Sequence, residues 1–235
     1  MNRDGIVVVE RALVSVTNPE GLADFCSWLF EHGQTNFTAT DTAARLLNER
    51  HLPVVLSAVV TGLPSGFLGG LVKTLHPSIH GGILGAGPEH AVERAEHGIP
   101  QFDMVIVNFY DFTAAVEADP SLSSAKKAID IGGPCMARAA AKNWENVTVV
   151  VDPEDYSFVL DDIRQHGGVS REVRYMLATK VFRVTCQLDD AINGYMQFRA
   201  PDRPELIAYD PFTGNRVHGL GTHPSTAQEH EAEAP

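Results

Sequence analysis

The sequence predicts an α/β fold in which a mainly parallel sheet is covered by helices. Across the first two-thirds of the chain, short apolar runs rich in β-branched residues alternate with amphipathic stretches, the order that a parallel sheet with helical crossovers requires. The length of 235 residues suits one sizeable domain with a full core. With 44% hydrophobic and 20% charged residues, the composition is typical of a globular protein and not of a disordered or fibrous one.

The first strand and helix are predicted within residues 12–30. The apolar run of residues 12–16 has the length of a buried strand, and residues 22–30 carry apolar side chains at helical spacing. Between them, residues 17–21 read T-N-P-E-G, a turn-forming sequence. A loop therefore lies at the carboxyl end of the first strand, the edge at which open α/β sheets bind ligands.

The same alternation continues along the chain. Further strands are predicted at residues 36–38, 54–60, 104–108 and 148–151. Helices are predicted at residues 43–49, 135–142, 153–165 and 170–198, the last as one long helix or a pair. We expect Pro134 at a first helical position, Gly132 and Gly133 to allow close backbone approach, and Asp152 to open the helix that follows it.

The chain divides into a domain of residues 1–200 and a polar C-terminal tail of residues 201–235. Prolines, glycines and polar residues dominate the tail, and its last ten residues, T-A-Q-E-H-E-A-E-A-P, offer almost nothing to bury. We expect this tail to be mobile.

Charge and cysteine usage exclude several classes of function. A formal net charge of −12 argues against nucleic-acid or anionic-membrane binding, although a local cationic pocket for one small anion remains compatible with it. No uninterrupted apolar stretch approaches the ~18 residues of a membrane span, and no secretion signal is visible. Three widely spaced cysteines without a C-x-x-C pair indicate neither a disulfide framework nor a zinc module, which favours the reducing cytoplasm. They are Cys26, Cys135 and Cys186.

A metal site is not expected. His76 and His80 are four residues apart, the spacing of two metal ligands on a helix, but Pro77 lies between them and an H-E-x-x-H core is absent.

Three segments place ionisable side chains at the ends of apolar runs. They read V-K-T-L-H-P at residues 72–77, V-N-F-Y at 107–110, and I-D-I-G-G-P at 129–134 running into R-A-A-A-K-N at 138–143. In amino-acid sequence, order and approximate spacing, these segments resemble the inosine monophosphate (IMP) cyclohydrolase family, the cyclohydrolase half of the bifunctional purine-biosynthesis enzyme. The resemblance extends from about residue 11 to about residue 198.

This resemblance implies a fold similar to methylglyoxal synthase: a doubly wound, mainly parallel sheet, here with additional C-terminal helices. It implies conversion of 5-formamidoimidazole-4-carboxamide ribotide to IMP, without a metal or organic cofactor. It also implies a homodimer. The molecule that this homodimer binds is implied to be a small purine-precursor nucleotide. Because 235 residues leave no room for the family's large formyltransferase domain, formyl transfer is expected from a separate enzyme.

The resemblance also assigns roles to residues. The expected catalytic residues are Lys73, Tyr110, Asp130 and Lys142. Lys73, together with Asn108, would donate to the formyl oxygen as negative charge develops, and Tyr110 would lie beside the same centre. Asp130 and Lys142 would form the proton-moving pair, with Lys142 the first choice for general acid or base. The backbone amides of Ile131, Gly132 and Gly133 would face the base or the leaving oxygen.

The two loops that hold the 5′-phosphate in the family are altered. The first, close to S-V-S-D-K-T-G in the family, reads S-V-T-N-P-E-G here, with Pro19 at the lysine position and Glu20 after it. The second, close to S-G-G-T-A-K, reads T-D-T-A-A-R, and Leu71 stands where the family has arginine. The altered loops lose two cations and gain negative charge, although Arg45 could supply a compensating one. The remaining expected substrate-binding residues are Thr17, Asn18, Thr40, Asp41, Thr42 and Thr74.

Three alternatives follow from this contrast between intact chemical segments and altered phosphate loops. A paralogue could perform the same cyclodehydration on a modified nucleotide or a nucleoside analogue in specialised metabolism. A non-catalytic, ligand-binding regulatory domain is a second alternative, against which the retained lysine, tyrosine and aspartate residues argue. Methylglyoxal synthase ranks last, because it needs a tight triose-phosphate site.

Overall fold

A computed structural model describes residues 5–198, 208–209 and 216–217. Its strands are β1 (Arg11–Ser15), β2 (Asn36–Ala39), β3 (Val54–Leu56), β4 (Met104–Val107), β5 (Thr148–Val150), β6 (Ala208–Tyr209) and β7 (Arg216–Val217). Its α-helices are α1 (Leu22–Gly33), α2 (Asp41–Glu49), α3 (Ser57–Thr61), α4 (Pro77–Leu84), α5 (Ala91–Glu96), α6 (Phe112–Ala118), α7 (Leu122–Ala128), α8 (Gly132–Lys142), α9 (Tyr156–His166) and α10 (Arg171–Phe198). Short 3₁₀ turns occupy Phe67–Gly70, Pro88–His90 and Pro153–Asp155.

Five strands form one parallel sheet in the order β3-β2-β1-β4-β5. The central strand is β1, in which Leu13 pairs with Thr38 of β2 on one side and with Val105 of β4 on the other. The chain fills one half of the sheet with β1 to β3 and then crosses to β4 and β5. The strand order therefore reverses between β1 and β4, and a ligand crevice is expected beyond their carboxyl ends.

Alternate side chains of each strand pack on opposite faces of the sheet. Ala12 and Val14 of β1 lie in the core on one face, which includes buried side chains of α1, α2 and α9. Leu13 lies in the core on the other face, with buried side chains of α4, α8 and α10. Both faces are thus covered, as parallel strands require. The predicted α/β, doubly wound parallel fold is confirmed.

The predicted strand at residues 54–60 is wrong beyond Leu56. The chain turns there into α3, and Val59 is 70% exposed, so this stretch does not have the two buried faces of an inner strand. A short apolar run fits a strand or a helix equally well, so periodicity could not separate the two.

Helix boundaries differ in smaller ways. α8 begins at Gly132, which makes Pro134 its third residue instead of its first; a first-turn residue has no intrahelical N–H bond to lose. Asp152 opens the next helical segment as expected, because its carboxylate accepts the N–H of Glu154 at 3.0 Å. That segment starts as a 3₁₀ turn and continues as α9. The C-terminal helix is single and 28 residues long.

Within the predicted tail, β6 and β7 pair antiparallel. The expectation of mobility for the rest of residues 201–235 lies outside the described residues. In the part of the chain that the structure describes, no helix combines the length and apolar character needed to cross a bilayer.

Candidate active site

The loops that follow β1 and β4 are joined by the side chain of Asn108. Its Oδ1 accepts the N–H of Thr17 at 2.6 Å and that of Asn18 at 3.0 Å, and the Thr17 hydroxyl lies 3.0 Å from the same oxygen. Its Nδ2 donates to the Asn18 carbonyl oxygen at 2.7 Å. Because Asn108 is buried, these bonds fix both loops at the crevice in one arrangement. One Nδ2 hydrogen remains for the predicted contact with substrate.

Asp130 lies just before α8, with its carboxylate facing the first turn of that helix. Oδ1 accepts the N–H of Gly133 at 3.0 Å, and the backbone N–H of Tyr110 also bonds to the carboxylate. Burial raises the pKa of the Asp130 carboxyl, while these two N–H groups and the charge of Lys73 offset part of the rise. A carboxyl that holds its proton to higher pH than usual is typical of groups that transfer protons in active sites.

The start of α8 packs closely against two neighbours. A Cβ added to Gly132 would lie 2.9 Å from Thr74 Oγ1, and one added to Gly133 would lie 2.7 Å from Asp130 Oδ2. The expected close backbone approach at these two glycines is confirmed. Because these glycines have no side chain, the segment containing Thr74 packs directly against the start of α8, whose Gly133 N–H bonds to Asp130.

Lys73, Tyr110 and Asp130, three of the four predicted catalytic residues, therefore meet at this edge of the sheet. The Lys73 side chain is exposed, and Tyr110 is 53% exposed, so both are open to a ligand. Tyr110 also lines an open groove of about 740 Å³ beyond β1, β4 and β5, whose far wall is α10. Neither Lys73 nor Asp130 lines this groove, so it adjoins the three residues on the Tyr110 side and does not enclose them.

Asp130 and Lys142 do not form the predicted pair. Asp130 precedes the first residue of α8, whereas Lys142 is the last, which separates them by about 15 Å along the helix axis. Since β5 begins only six residues after Lys142, this lysine lies toward the opposite edge of the sheet. Among the described residues, the lysine whose charge acts on the Asp130 carboxyl is Lys73.

The altered second loop leads directly from β2 into α2. The Thr40 hydroxyl is buried and lies 3.4 Å from Ser15 Oγ, which ties this loop to β1. Asp41 is the first residue of α2, and its Oδ1 accepts the Ser65 hydroxyl at 2.7 Å. Thr42 follows on the exposed side.

All the predicted substrate-binding residues fall on loops or helix starts at this edge of the sheet. Thr17 and Asn18 follow β1, Thr40, Asp41 and Thr42 join β2 to α2, Thr74 precedes α4, Asn108 follows β4, and Ile131, Gly132 and Gly133 begin α8.

Two further residues were missed by the sequence prediction. The carbonyl oxygen of Phe109 lies 2.8 Å from the Thr17 hydroxyl, and Ser65 contacts Asp41. A backbone carbonyl carries no signal in the sequence. Ser65 lies in a glycine-rich segment without periodicity, so nothing local indicated its long-range contact.

His76 has a structural role. His76 caps α4, because its Nδ1 accepts the Ser78 N–H at 3.1 Å. Across residues 5–198 and the two short strands, no group of three or more His, Cys, Asp or Glu side chains is placed to hold a metal ion.

Comparisons with known proteins agree with this geometry. The family model for the AICARFT/IMPCHase bienzyme matches residues 140–217. The bifunctional purine biosynthesis protein PurH of Magnetococcus marinus is 45% identical over 192 residues, which are 80% of this chain and 36% of PurH. The chain thus spans about a third of the length of this curated relative. The crystal structure of ForH matches with a TM-score of 0.70 and 34% identity, covering 80% of this chain and 99% of ForH.

The match to ForH covers essentially all of that protein, and the match to PurH covers the same share of this chain at higher identity. The chain belongs to the family of PurH-like IMP cyclohydrolase-type domains.

Proposed function

We propose that this protein closes the six-membered ring of a purine precursor by dehydration. The substrate is 5-formamidoimidazole-4-carboxamide ribotide or an analogue with the same two reacting groups. The observation that carries the proposal is the position of the Asp130 carboxyl at the switch point of the sheet, where two backbone N–H groups bond to it and the charge of Lys73 acts on it. The match to PurH supports it.

Ring closure joins a weak nucleophile to a weak electrophile. The carboxamide nitrogen attacks the formyl carbon, and a C–N bond forms as the C=O bond becomes a C–O bond. Negative charge develops on the formyl oxygen, where the Lys73 ammonium and the free Asn108 N–H donate. The oxygen then leaves as water with one proton from the carboxamide nitrogen and one from the formamide nitrogen, as the C=N bond forms.

Asp130 is the group proposed to move these protons. Its carboxylate takes a proton from the attacking nitrogen and passes it to the leaving oxygen, and the pKa raised by burial makes it a stronger base than an ordinary aspartate. Lys73 balances the carboxylate charge and exchanges protons with the same oxygen. Tyr110 closes the side of the site that faces the groove.

The family resemblance also implies an oligomeric state, a location and a source of the formyl group. The protein would act as a cytoplasmic homodimer without a cofactor, and another enzyme would install the formyl group. Gel filtration with light scattering tests the dimer independently of activity.

The assay is the ultraviolet absorbance change of purine formation at saturating formamido substrate. Lys73→Met removes the oxyanion donor and should lower kcat by about a hundred- to a thousandfold. Asp130→Asn should lower kcat by about a hundred- to ten-thousandfold. Lys126→Met, an exposed lysine on α7, is the matched control and should retain turnover.

Two outcomes would contradict the proposal. Absence of turnover by well-folded wild-type protein, with ligand binding intact, would indicate the regulatory binding module instead. Lys142→Met decides between two assignments of the proton-moving amine: a loss as large as that of Lys73→Met would return this role to Lys142 and reject the pairing of Lys73 with Asp130.

A further inference from the structure

We infer that Asp41 selects the substrate by disfavouring a 5′-phosphate and accepting a neutral hydroxyl at that position, so that the preferred substrate is a nucleoside and not a nucleotide. The inference rests on the proposed function, since it concerns the end of the same substrate that does not react. It also explains why the reacting segments are intact while the phosphate loops are altered.

Asp41 lies at the start of a helix. It opens α2 at the carboxyl end of β2, directly beside the central strand, where the family's phosphate loop has glycine. The preceding residue is fixed, because the Thr40 N–H donates to the Val14 carbonyl oxygen at 3.0 Å and its hydroxyl contacts Ser15. A carboxylate is therefore held at the helix start that a phosphate would approach.

Asp41 contacts Ser65 and lines a cleft. Its carboxylate accepts the Ser65 hydroxyl at 2.7 Å, and Asp41, Ser65 and Lys73 line one narrow cleft. Lys73 is thus reached from the Asp41 side as well as from the Asp130 side. The sugar of the substrate is inferred to lie in this cleft when its formyl oxygen meets Lys73.

The charges of the residues that line this cleft disfavour a phosphate. Among the described residues that line the cleft, Lys73 carries the only positive charge, and the proposed chemistry uses it at the formyl oxygen. The first loop adds Glu20 and lacks one backbone N–H at Pro19. A phosphate of charge near −2 placed in this cleft meets the Asp41 carboxylate, and like charges at short range repel; Arg45, one turn further along α2, does not line the cleft.

The Asp41 carboxylate can accept a hydrogen bond from a neutral hydroxyl group. An alcohol donates well to an ionised carboxylate, and the Ser65 hydroxyl already makes such a bond to Asp41. A 5′-hydroxyl of a nucleoside offers the same group. It can share the second carboxylate oxygen or replace Ser65.

The experiment compares the formamido nucleotide with its dephosphorylated nucleoside in the same ultraviolet assay. Wild-type protein should show kcat/KM at least about tenfold higher for the nucleoside, with the difference in KM because the group is remote from the reacting atoms. Asp41→Asn should raise kcat/KM for the nucleotide about tenfold and change the value for the nucleoside less. Asp161→Asn, an exposed aspartate on α9, removes the same charge elsewhere and should leave the preference unchanged.

Ser65→Ala separates the charge of Asp41 from its contact with Ser65. This variant keeps the carboxylate, so the preference for the nucleoside should persist. Loss of the preference in Ser65→Ala together with its retention in Asp41→Asn would overturn the inference, because charge would not be its origin.

Binding gives a readout that does not depend on turnover. Calorimetry with inosine and with IMP should show tighter binding of inosine to the wild type, and a gain in IMP affinity in Asp41→Asn. A wild type that favours the nucleotide in both assays, with no change in Asp41→Asn, would overturn the inference and leave ring closure standing. Failure to turn over either substrate would reject the proposed function, and the binding preference would still decide the role of Asp41.

Discussion

Asn108 and Thr17 are 91 residues apart in the chain and are joined by a 2.6 Å hydrogen bond from the Thr17 N–H to the Asn108 Oδ1. The bond links the loops after the two central strands, β1 and β4, at the point where the strand order reverses. The crevice at this point is therefore shaped by a buried side-chain amide as well as by the sheet.

Asn108→Ala should lower the free energy of unfolding and weaken substrate binding. The substitution leaves the N–H groups of Thr17 and Asn18 without their acceptor, a loss of about 1–3 kcal/mol. We expect kcat to fall as well as KM to rise, because the variant loses the proposed Asn108 donor to the formyl oxygen and its loop is loosened. Urea unfolding and steady-state kinetics measure the two effects. Asn48→Ala, at an exposed position of α2, is the control; equal stability of both variants would contradict the argument.

Gly133→Ala should reduce activity even though alanine favours helices. Its Cβ would lie 2.7 Å from Asp130 Oδ2 and 3.1 Å from a ring carbon of Phe109, so the carboxylate must move. A displacement of about 1 Å at a reacting group costs about a hundredfold in rate. Gly194→Ala in α10 meets nothing within 4 Å and should instead stabilise the fold by about 0.5–1 kcal/mol with unchanged kinetics. An active Gly133→Ala protein would place Asp130 outside the chemistry.

The activity should fall on the acid side at a pH above the ordinary range of an aspartate. Burial raises the Asp130 pKa, so protonation removes the base as pH falls through that raised value. Stability runs the other way: the folded state holds this proton more tightly than the unfolded state, so the contribution of Asp130 declines as pH rises from its ordinary pKa to its raised one. Asp130→Asn should abolish this dependence of the unfolding free energy on pH. Profiles of kcat and of urea unfolding between pH 4 and 8 test both; an acid limb at the ordinary aspartate pKa would contradict the assignment.

The central strands could be predicted from sequence because their apolar runs are short and end at turn-forming or polar residues. The site residues were predicted from the family resemblance of their segments, and apolar runs alone would have indicated only Asn108, which directly follows β4. Long-range partners could not be predicted: no local pattern pairs Asp41 with Ser65. The separation of Asp130 from Lys142 could have been predicted. A helix at residues 135–142 places its last residue, Lys142, far along the helix axis from Asp130, which precedes the helix.

Lys180 joins α10 to the turn that follows β5, and Lys180→Met should destabilise the protein at neutral pH. The Lys180 Nζ lies 2.7 Å from an oxygen of Asp152 and 2.8 Å from one of Asp155, with only 19% of the Lys180 side chain exposed. Removing the cation leaves two carboxylates facing each other, a cost of about 1–3 kcal/mol.

The pH dependence identifies the source of this loss. Burial alone would raise the pKa of Asp152, but the hydrogen bonds from Lys180 and from the Glu154 N–H, together with the lysine charge, lower it below its ordinary value. The stabilisation is therefore complete above the ordinary aspartate pKa and disappears as pH falls through the lowered one. Wild type and Lys180→Met should differ in urea unfolding at pH 7 and converge in strong acid. Arg50→Met breaks the exposed pair with Asp24 and should change stability by no more than about 0.5 kcal/mol at either pH. A difference between wild type and Lys180→Met that persists unchanged into acid would show that the lysine stabilises the helix through its aliphatic stem and not through its charge.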